Sequence, residues 1–302
     1  MPSSKGMASS DKELTKTSKG SCMKTKNRAI CIVTFFLIFT SWVPAQEPVP
    51  FADDSRPIEA FDTVFMEEMT WLEVRDALKS GKTTVIVSSG GIEQNGPYLV
   101  TGKHNVVLRA TTEAIARKLG NALVAPIIAL VPEGDHEPPT GHMRYPGTFS
   151  ARKETYRNIL VDVCTSLKVH GFENIILICD SKGNVEGMEE VAKTLGDRWA
   201  GSKTGIFYIP EYYDYPGLTQ WLETQGIKQV PEGIHDDFGI SAMMMTVDPL
   251  TVRMEQRQTK GLFHINGVDM NPPEKTIEMG RKAVNWRADI TVKAIRERLN
   301  GK

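Results

Sequence analysis

Between residues 70 and 210 the chain repeats one arrangement. A short apolar run is followed by a loop rich in Gly and Pro, and then by an amphipathic helical stretch. The apolar runs are TTVIVSS (83–89), ALVAPIIALV (122–131), NIILIC (174–179) and TGIFYIP (204–210). Continuous apolar runs of that length, rich in β-branched residues, suit strands buried on both faces of a parallel sheet. The intervening stretches carry helix signals. Thr70-x-x-Glu73 is a capping box opening TWLEVRDALKSG, which Gly81 closes. Asn105 can cap VVLRATTEAIARKL, with Gly120 beyond its end. Ser150 can cap a long helix running to His170-Gly171, and the turn at 180–184 leads into VEGMEEVAKTLGDRW. Strand, loop and helix recurring every roughly 40 residues predict a three-layer α/β/α sandwich with a mainly parallel sheet. The segment GISAMMMTV reads as a further helix, with Met243-Met244-Met245 as packing. Residues 274–299 read as a long amphipathic helix whose Lys and Arg form a solvated face. No linker divides the α/β domain expected over 61–302, which a loose arm at 46–60 precedes.

A different pattern precedes that arm. Met23-Lys24-Thr25-Lys26-Asn27-Arg28 is basic, Ala29 to Val43 is apolar, and Val43-Pro44-Ala45 ends on small residues. Basic, apolar and small in that order describe a secretory signal peptide within residues 1–45, with Met23 as the natural start and 1–22 as an upstream extension. The apolar run falls short of the about 20 residues that span a bilayer, so no stable membrane insertion is expected after cleavage. The alternative is an uncleaved N-terminal anchor. The expected mature chain is exported, periplasmic or secreted. The leader holds seven Lys and Arg and two acids, which leaves 29 basic and 35 acidic groups, a net charge of −6. Such a balance gives no electrostatic footprint for nucleic acid. Only Cys164 and Cys179 remain beyond the leader. Their helix and strand settings predict two buried thiols rather than a disulfide scaffold.

In a sheet of this kind ligands bind beyond the C-terminal ends of the strands. The loops there are 89–104, 132–149 and 180–184, joined by the segment 233–237. Of six His, five (104, 136, 142, 235 and 264) fall outside clear secondary structure. Asp135-His136-Glu137 is a tempting triplet, but neighbours in a loop need not converge. His136 and His264 lack a partner at ligand spacing. The stretch holding Tyr208, Tyr212, Tyr213, Tyr215 and Trp221 reads as core or subunit interface, or else as a lid stacking on a planar substrate.

Gly90-Gly91-Ile92-Glu93-Gln94-Asn95-Gly96-Pro97-Tyr98-Leu99 resembles the G-S-x-E-Q-H-G-P-H-L pattern of the creatininase (creatinine amidohydrolase) family. His142-Met143-Arg144-Tyr145-Pro146-Gly147-Thr148 is similar to its H-x-G-F-P-G-T. Cys179-Asp180-Ser181-Lys182-Gly183-Asn184 falls where the family has N-G-H-x-x-N, and His235-Asp236-Asp237 where it has H-A-G. The resemblance implies a metal-dependent amidohydrolase, commonly homo-oligomeric, in which two divalent ions polarise an amide carbonyl and activate water. This chain departs from that pattern. Glu93 matches a ligand, but Asn95 replaces a His, His104 replaces the bridging Asp, and Ser181 replaces a second His. Gly183 and Ile240 stand where Glu occurs in the family.

These substitutions leave three readings of the pocket. In the first, Glu93, His104 and Asp180 bind one divalent ion, Zn or Mn, rather than two, with His142 or His235 assisting. Glu93 and His235 then act on substrate as catalytic groups, and Asn95, His142, Tyr145, Ser181 and Asn184 line its binding site. The expected reaction is hydrolysis of a C–N bond in a small cyclic or linear amide. In the second, a metal-free pocket of an exported, non-catalytic member binds a small polar ligand. In the third, each His is a hydrogen-bonded loop residue.

Overall fold

The computed structural model describes residues 49–50 and 54–301. The expected signal peptide and the alternative start at Met23 lie outside the described residues. The description below concerns the compact unit spanning Phe51–Lys302.

Four parallel strands form the main sheet, in the order β2-β1-β3-β4. They are β1 (Thr84–Ser89), β2 (Ala122–Val124), β3 (Asn174–Cys179) and β4 (Gly205–Tyr208). Strands β1 and β3 pair in step over their full length, from Thr84 with Asn174 to Ser89 with Cys179. Every residue of β1 is buried, which accounts for an apolar run without polar alternation. Val85, Val87, Ile175 and Leu177 face helices α1 (Trp71–Lys79), α3 (Lys153–Val169) and α4 (Val185–Arg198). Ile86, Ile176 and Ile178 face α2 (Lys103–Leu119) and α8 (Pro273–Asn300) on the other side. The fold is the expected α/β/α sandwich. The capping box of α1 is present: Glu73 N–H donates to Thr70 Oγ1, and Thr70 N–H to Glu73 Oε2.

A third apolar cluster extends past the sheet. It joins α5 (Tyr215–Thr224) and α6 (Phe238–Val247) to faces of α2 and α8. Met243, Met244 and Met245 are all buried there, so each contributes about 1.5–3 kcal/mol through removal from water. Helix α8 crosses α6 closely at Gly280, where a Cβ would run into the carbonyl oxygen of Ala242. A short helix α7 (Met254–Thr259) and a two-stranded ribbon, β5 (His264–Ile265) with β6 (Val268–Asp269), complete the α-helices and strands of the described residues.

Three local expectations are corrected. The run 122–131 is strand only to Val124. Beyond it Pro126 lacks an N–H, and contact with β1 resumes as a single bridge between Ser89 and Ile128. Asn105 does not cap α2, which starts at Lys103; its Oδ1 accepts from Gly91 N–H instead. Ser150 does not cap α3 either. Its hydroxyl donates to Gly134 O and accepts from Glu133 N–H, so it holds the preceding loop. Cys164 and Cys179 are buried free thiols, and burial pushes both up to about 12. Among the described residues, no helix is long and apolar enough to cross a membrane.

Candidate functional site

The C-terminal ends of the strands open into a cavity of about 640 Å³. The loop after β1 delivers Glu93, and the start of α2 delivers Lys103 and His104. The loop after β2 supplies Glu133 and His142, the turn after β3 supplies Ser181, and the segment before α6 supplies His235. The β2–α3 loop doubles back on itself to do this. Gly134 and Gly141 have φ of +134° and +52°, and a Cβ on Gly134 would strike Thr140 O. His142 N–H then donates to Glu133 O, which sets both residues over the pocket. Gly91 lacks the Cβ that would collide with the Glu133 carboxyl.

Glu93 is the centre of the arrangement, 2% exposed. Its Oε1 accepts from His104 Nε2 at 2.9 Å and from His235 Nε2 at 3.0 Å, and the Lys103 ammonium lies 3.6 Å away. Its Oε2 is 3.2 Å from His142 Nε2. Burial alone would raise the Glu93 pKa. The hydrogen bonds from His104 and His235, with the charges of His104 and Lys103, outweigh it and hold the carboxyl well below the usual range.

Behind Glu93 lies a buried chain of charges. His104 Nδ1 donates to Asp180 Oδ2 at 2.8 Å, and Asp180 Oδ1 accepts from Arg287 Nη1 at 2.8 Å and from the Tyr215 hydroxyl at 3.3 Å. Asp180 and Arg287 are wholly buried. Arg287 also lies over the rings of Tyr212 and Tyr215. With both ring nitrogens donating to carboxylates, His104 is an imidazolium. Burial opposes its charge, and the bonds to Asp180 and Glu93 outweigh burial and raise its pKa.

Glu133 has the opposite setting. It is 6% exposed, and burial together with the neighbouring Glu93 charge pushes its carboxyl up to about 9. Burial likewise raises Asp236 to about 6, and it lowers the pKa of His142 against the opposing pull of the Glu93 charge.

The expected metal trio therefore meets, but as an ion-paired chain. Both nitrogens of His104 are committed, and Asp180 is covered by His104, Arg287 and Tyr215, which leaves neither open to an ion. The family's two-ion centre does not fit these residues. Asn95 is also engaged, its Nδ2 donating to Glu93 O, Val100 O and Thr101 O. One ion does fit elsewhere: ligand atoms of Glu93, His142 and His235 lie within 4.8 Å of one another around the cavity. A carboxylate with two imidazoles is a donor set for Zn or Mn.

Of the expected substrate-binding residues, His142 and Ser181 line the cavity. Asn95, Tyr145 and Asn184 do not. Asn184 is buried, its Nδ2 donating to Gly90 O, and Tyr145 is half-exposed outside the cavity. Sequence reasoning missed Lys103, Glu133 and Arg287. Lys103 and Glu133 lie in the two loops already marked as functional. Arg287 shares a helical stripe with Gly280, Ala283, Ala288 and Thr291, whose small side chains mark a buried face. In the aromatic stretch, Tyr212 is core, whereas Tyr213 and Tyr215 line the cavity.

Comparisons agree with this architecture. A family model for creatinine amidohydrolase (creatininase) matches residues 67–295. The creatinine amidohydrolase of Pseudomonas putida is 25% identical over 171 residues, 54% of this chain and 64% of its own length. The 3-dehydro-scyllo-inosose hydrolase of Thermotoga maritima is 30% identical over 147 residues, 49% of this chain and 42% of its own length. The matched stretch thus spans less than two thirds of either relative. A solved tryptophan-to-alanine variant of creatininase superposes with a TM-score of 0.56 at 22% identity, covering 78% of this chain and 98% of that one. A manganese creatininase gives 0.53 at 21% identity, covering 79% and 98%. A Zn–Zn form of a creatininase variant gives 0.53 at 20% identity, covering 80% and 98%. At these identities the structural likeness establishes the fold, and the family match over most of the described domain establishes descent. The chain belongs to the creatininase family.

Proposed function

We propose that the protein hydrolyses a C–N bond of a small cyclic or linear amide in the cavity over Glu93, with one divalent ion, Zn or Mn, rather than two. The observation that carries this reading is the buried Glu93 carboxylate, kept anionic at the cavity floor and faced by His142 and His235. Glu93, His142 and His235 would hold the ion, which supplies Lewis acidity and a more acidic bound water. Glu93 accepts hydrogen bonds that fix His104 and His235. His235, its side chain 45% exposed with Nε2 on Glu93, would serve as a ligand through that nitrogen and leaves its other edge to solvent and substrate. Lys103, buried and anchored at 3.4 Å to His235 O, places a fixed positive charge beside the reacting carbonyl. Ser181, Tyr213 and Asp236 offer hydrogen bonds that suit a small polar substrate. Export to the periplasm or medium and assembly into a homo-oligomer belong to the same proposal; light scattering at micromolar concentration tests the assembly.

The test is turnover of a substrate panel by protein loaded with Mn or Zn, reading substrate loss and product formation by mass spectrometry. The panel includes creatinine, other lactams and linear amides, and 3-dehydro-scyllo-inosose. Amide turnover that disappears in Glu93→Gln is expected. Turnover of the cyclic ketone alone would move the reaction away from C–N bonds. Calorimetric binding of panel members without any turnover would favour the non-catalytic binder, the reading supported by the loss of the family's two-ion positions.

A further inference from the structure

Asp236 forms part of the cavity wall, yet both of its carboxyl oxygens are buried and neither has a hydrogen-bond partner among the described residues. The backbone that carries it is pinned. The Lys103 ammonium donates to His235 O at 3.4 Å, and Asn266 Nδ2 donates to Asp236 O at 3.3 Å. Asp237 caps α6, its Oδ1 accepting from Ile240 N–H at 2.9 Å. Gly96, at φ +65°, brings the loop after β1 against Ile234, which a Cβ there would strike. The two cations that attract the Asp236 carboxyl are engaged elsewhere. Lys103 lies 3.6 Å from Glu93 Oε1. Arg257 donates to Leu262 O, Val252 O and His264 O, and its guanidinium lies over the ring of Tyr98. A buried carboxyl with two idle acceptors costs free energy that a donor in the cavity would recover. Asp236 stands where the creatininase pattern has Ala, so the acid is a departure of this chain.

We propose that Asp236 determines specificity by binding a cationic nitrogen of the substrate, so that the preferred substrate is a small amide carrying a primary ammonium group. This rests on the reading of the cavity as a site for small amides, and it holds equally for a ligand bound without turnover. A carboxylate accepts hydrogen bonds and donates none, so its partner must bring N–H or O–H groups. An ammonium brings three N–H donors together with the opposite charge, and such charge-assisted bonds are the stronger ones. A neutral donor would satisfy the oxygens and leave the charge uncompensated, and an anionic substituent would be repelled. The contact lies away from the bond that breaks and is made alike before and during the reaction. It therefore belongs to binding, and shows in KM rather than kcat.

Calorimetry and steady-state kinetics on the full chain at neutral pH test this with matched ligands. α-Amino-ε-caprolactam is compared with ε-caprolactam, and glycinamide with acetamide; each pair differs by the ammonium group. Wild type should bind the ammonium member about 10- to 100-fold more tightly, the worth of a hydrogen bond to a charged group. Asp236→Asn keeps the shape of the side chain and removes its charge, and should cut that preference to about threefold or less. Glu137→Gln removes the same charge from the exposed part of the β2–α3 loop and should keep the wild-type preference. Circular dichroism shows whether each variant is folded. A wild type that favours the neutral member, shows no preference or binds neither overturns the proposal. So does a preference that persists in Asp236→Asn, which would assign it to another group, such as an ion coordinated by the amine. Hydrolysis of both members without preference overturns the proposal and leaves the amide-hydrolase reading standing. Preferential binding that is lost in Asp236→Asn, with no turnover of either member, supports the proposal and favours the non-catalytic binder.

Discussion

Replacing Glu133 by Gln should flatten the pH dependence of stability in chelator-treated protein. Burial and the Glu93 charge move the Glu133 carboxyl from its ordinary 4.5 to about 9 in the folded chain. Between those values the unfolded chain has released the proton and the folded chain still holds it. The native state therefore binds more protons, and stability falls as pH rises. The contribution is intact below about 4.5 and is lost progressively toward 9. One pH unit is worth about 1.4 kcal/mol in this window, so moving from pH 5 to about 7.5 costs about 3 kcal/mol. For a domain of this size that is roughly 6–12 °C in Tm. The glutamine retains the shape of the side chain and does not titrate. Asp236 and His104 titrate in both proteins, so the difference between wild type and variant isolates Glu133. Thermal unfolding by circular dichroism across pH 5 to 7.5 measures it. Parallel Tm curves for the two proteins would refute the reasoning, because they would show that Glu133 carries no extra proton in the native state.

Arg287→Met should cost about 3–5 kcal/mol in urea unfolding, because it leaves the wholly buried Asp180 without its guanidinium; a loss below about 1 kcal/mol would show the pair to be idle. Gly280→Ala should destabilise by about 1–3 kcal/mol despite the better helix propensity of alanine, since the added methyl forces α8 away from Ala242 of α6. A gain in stability would mean that the two helices can part without loss. Intact-mass measurement on protein from the native host should give a chain starting near Gln46, and mature protein retaining residues 29–43 would defeat the cleavage proposal.

The layered fold was legible because its strands are apolar without interruption and its helices are not. Sequence alone could not foresee how far β2 runs, since a proline four residues into the apolar stretch removes a donor that only the ladder with β1 requires. The caps failed for a related reason. Asn105 and Ser150 are good helix starters in isolation, but each bonds a distant backbone group that brings one loop to another. In the site, the loops were readable from the strand order, and with them Glu93, His104, His142, Ser181 and His235. The pairing among them was not. Whether a histidine serves as ligand or as cation depends on what meets its second nitrogen, and for His104 that is Asp180, 76 residues away. Arg287 shows the same limit, because its charge suggested solvent while the small residues around it on α8 marked the buried face.

Arg287 also links the pocket to the order in which the chain is made. A nascent polypeptide that has emerged through α7 already contains the four parallel strands, the loops over their ends and every residue that lines the cavity. It still lacks the helix that neutralises Asp180. Until α8 docks, the aspartate beneath His104 has no buried cation beside it except that histidine, and the interior that should enclose it is open to water on the α8 side. The electrostatics around Glu93 are therefore complete only with α8 in place over the sheet. A chain cut before α8 should therefore lose the charge arrangement beneath the cavity together with the apolar packing that α8 supplies.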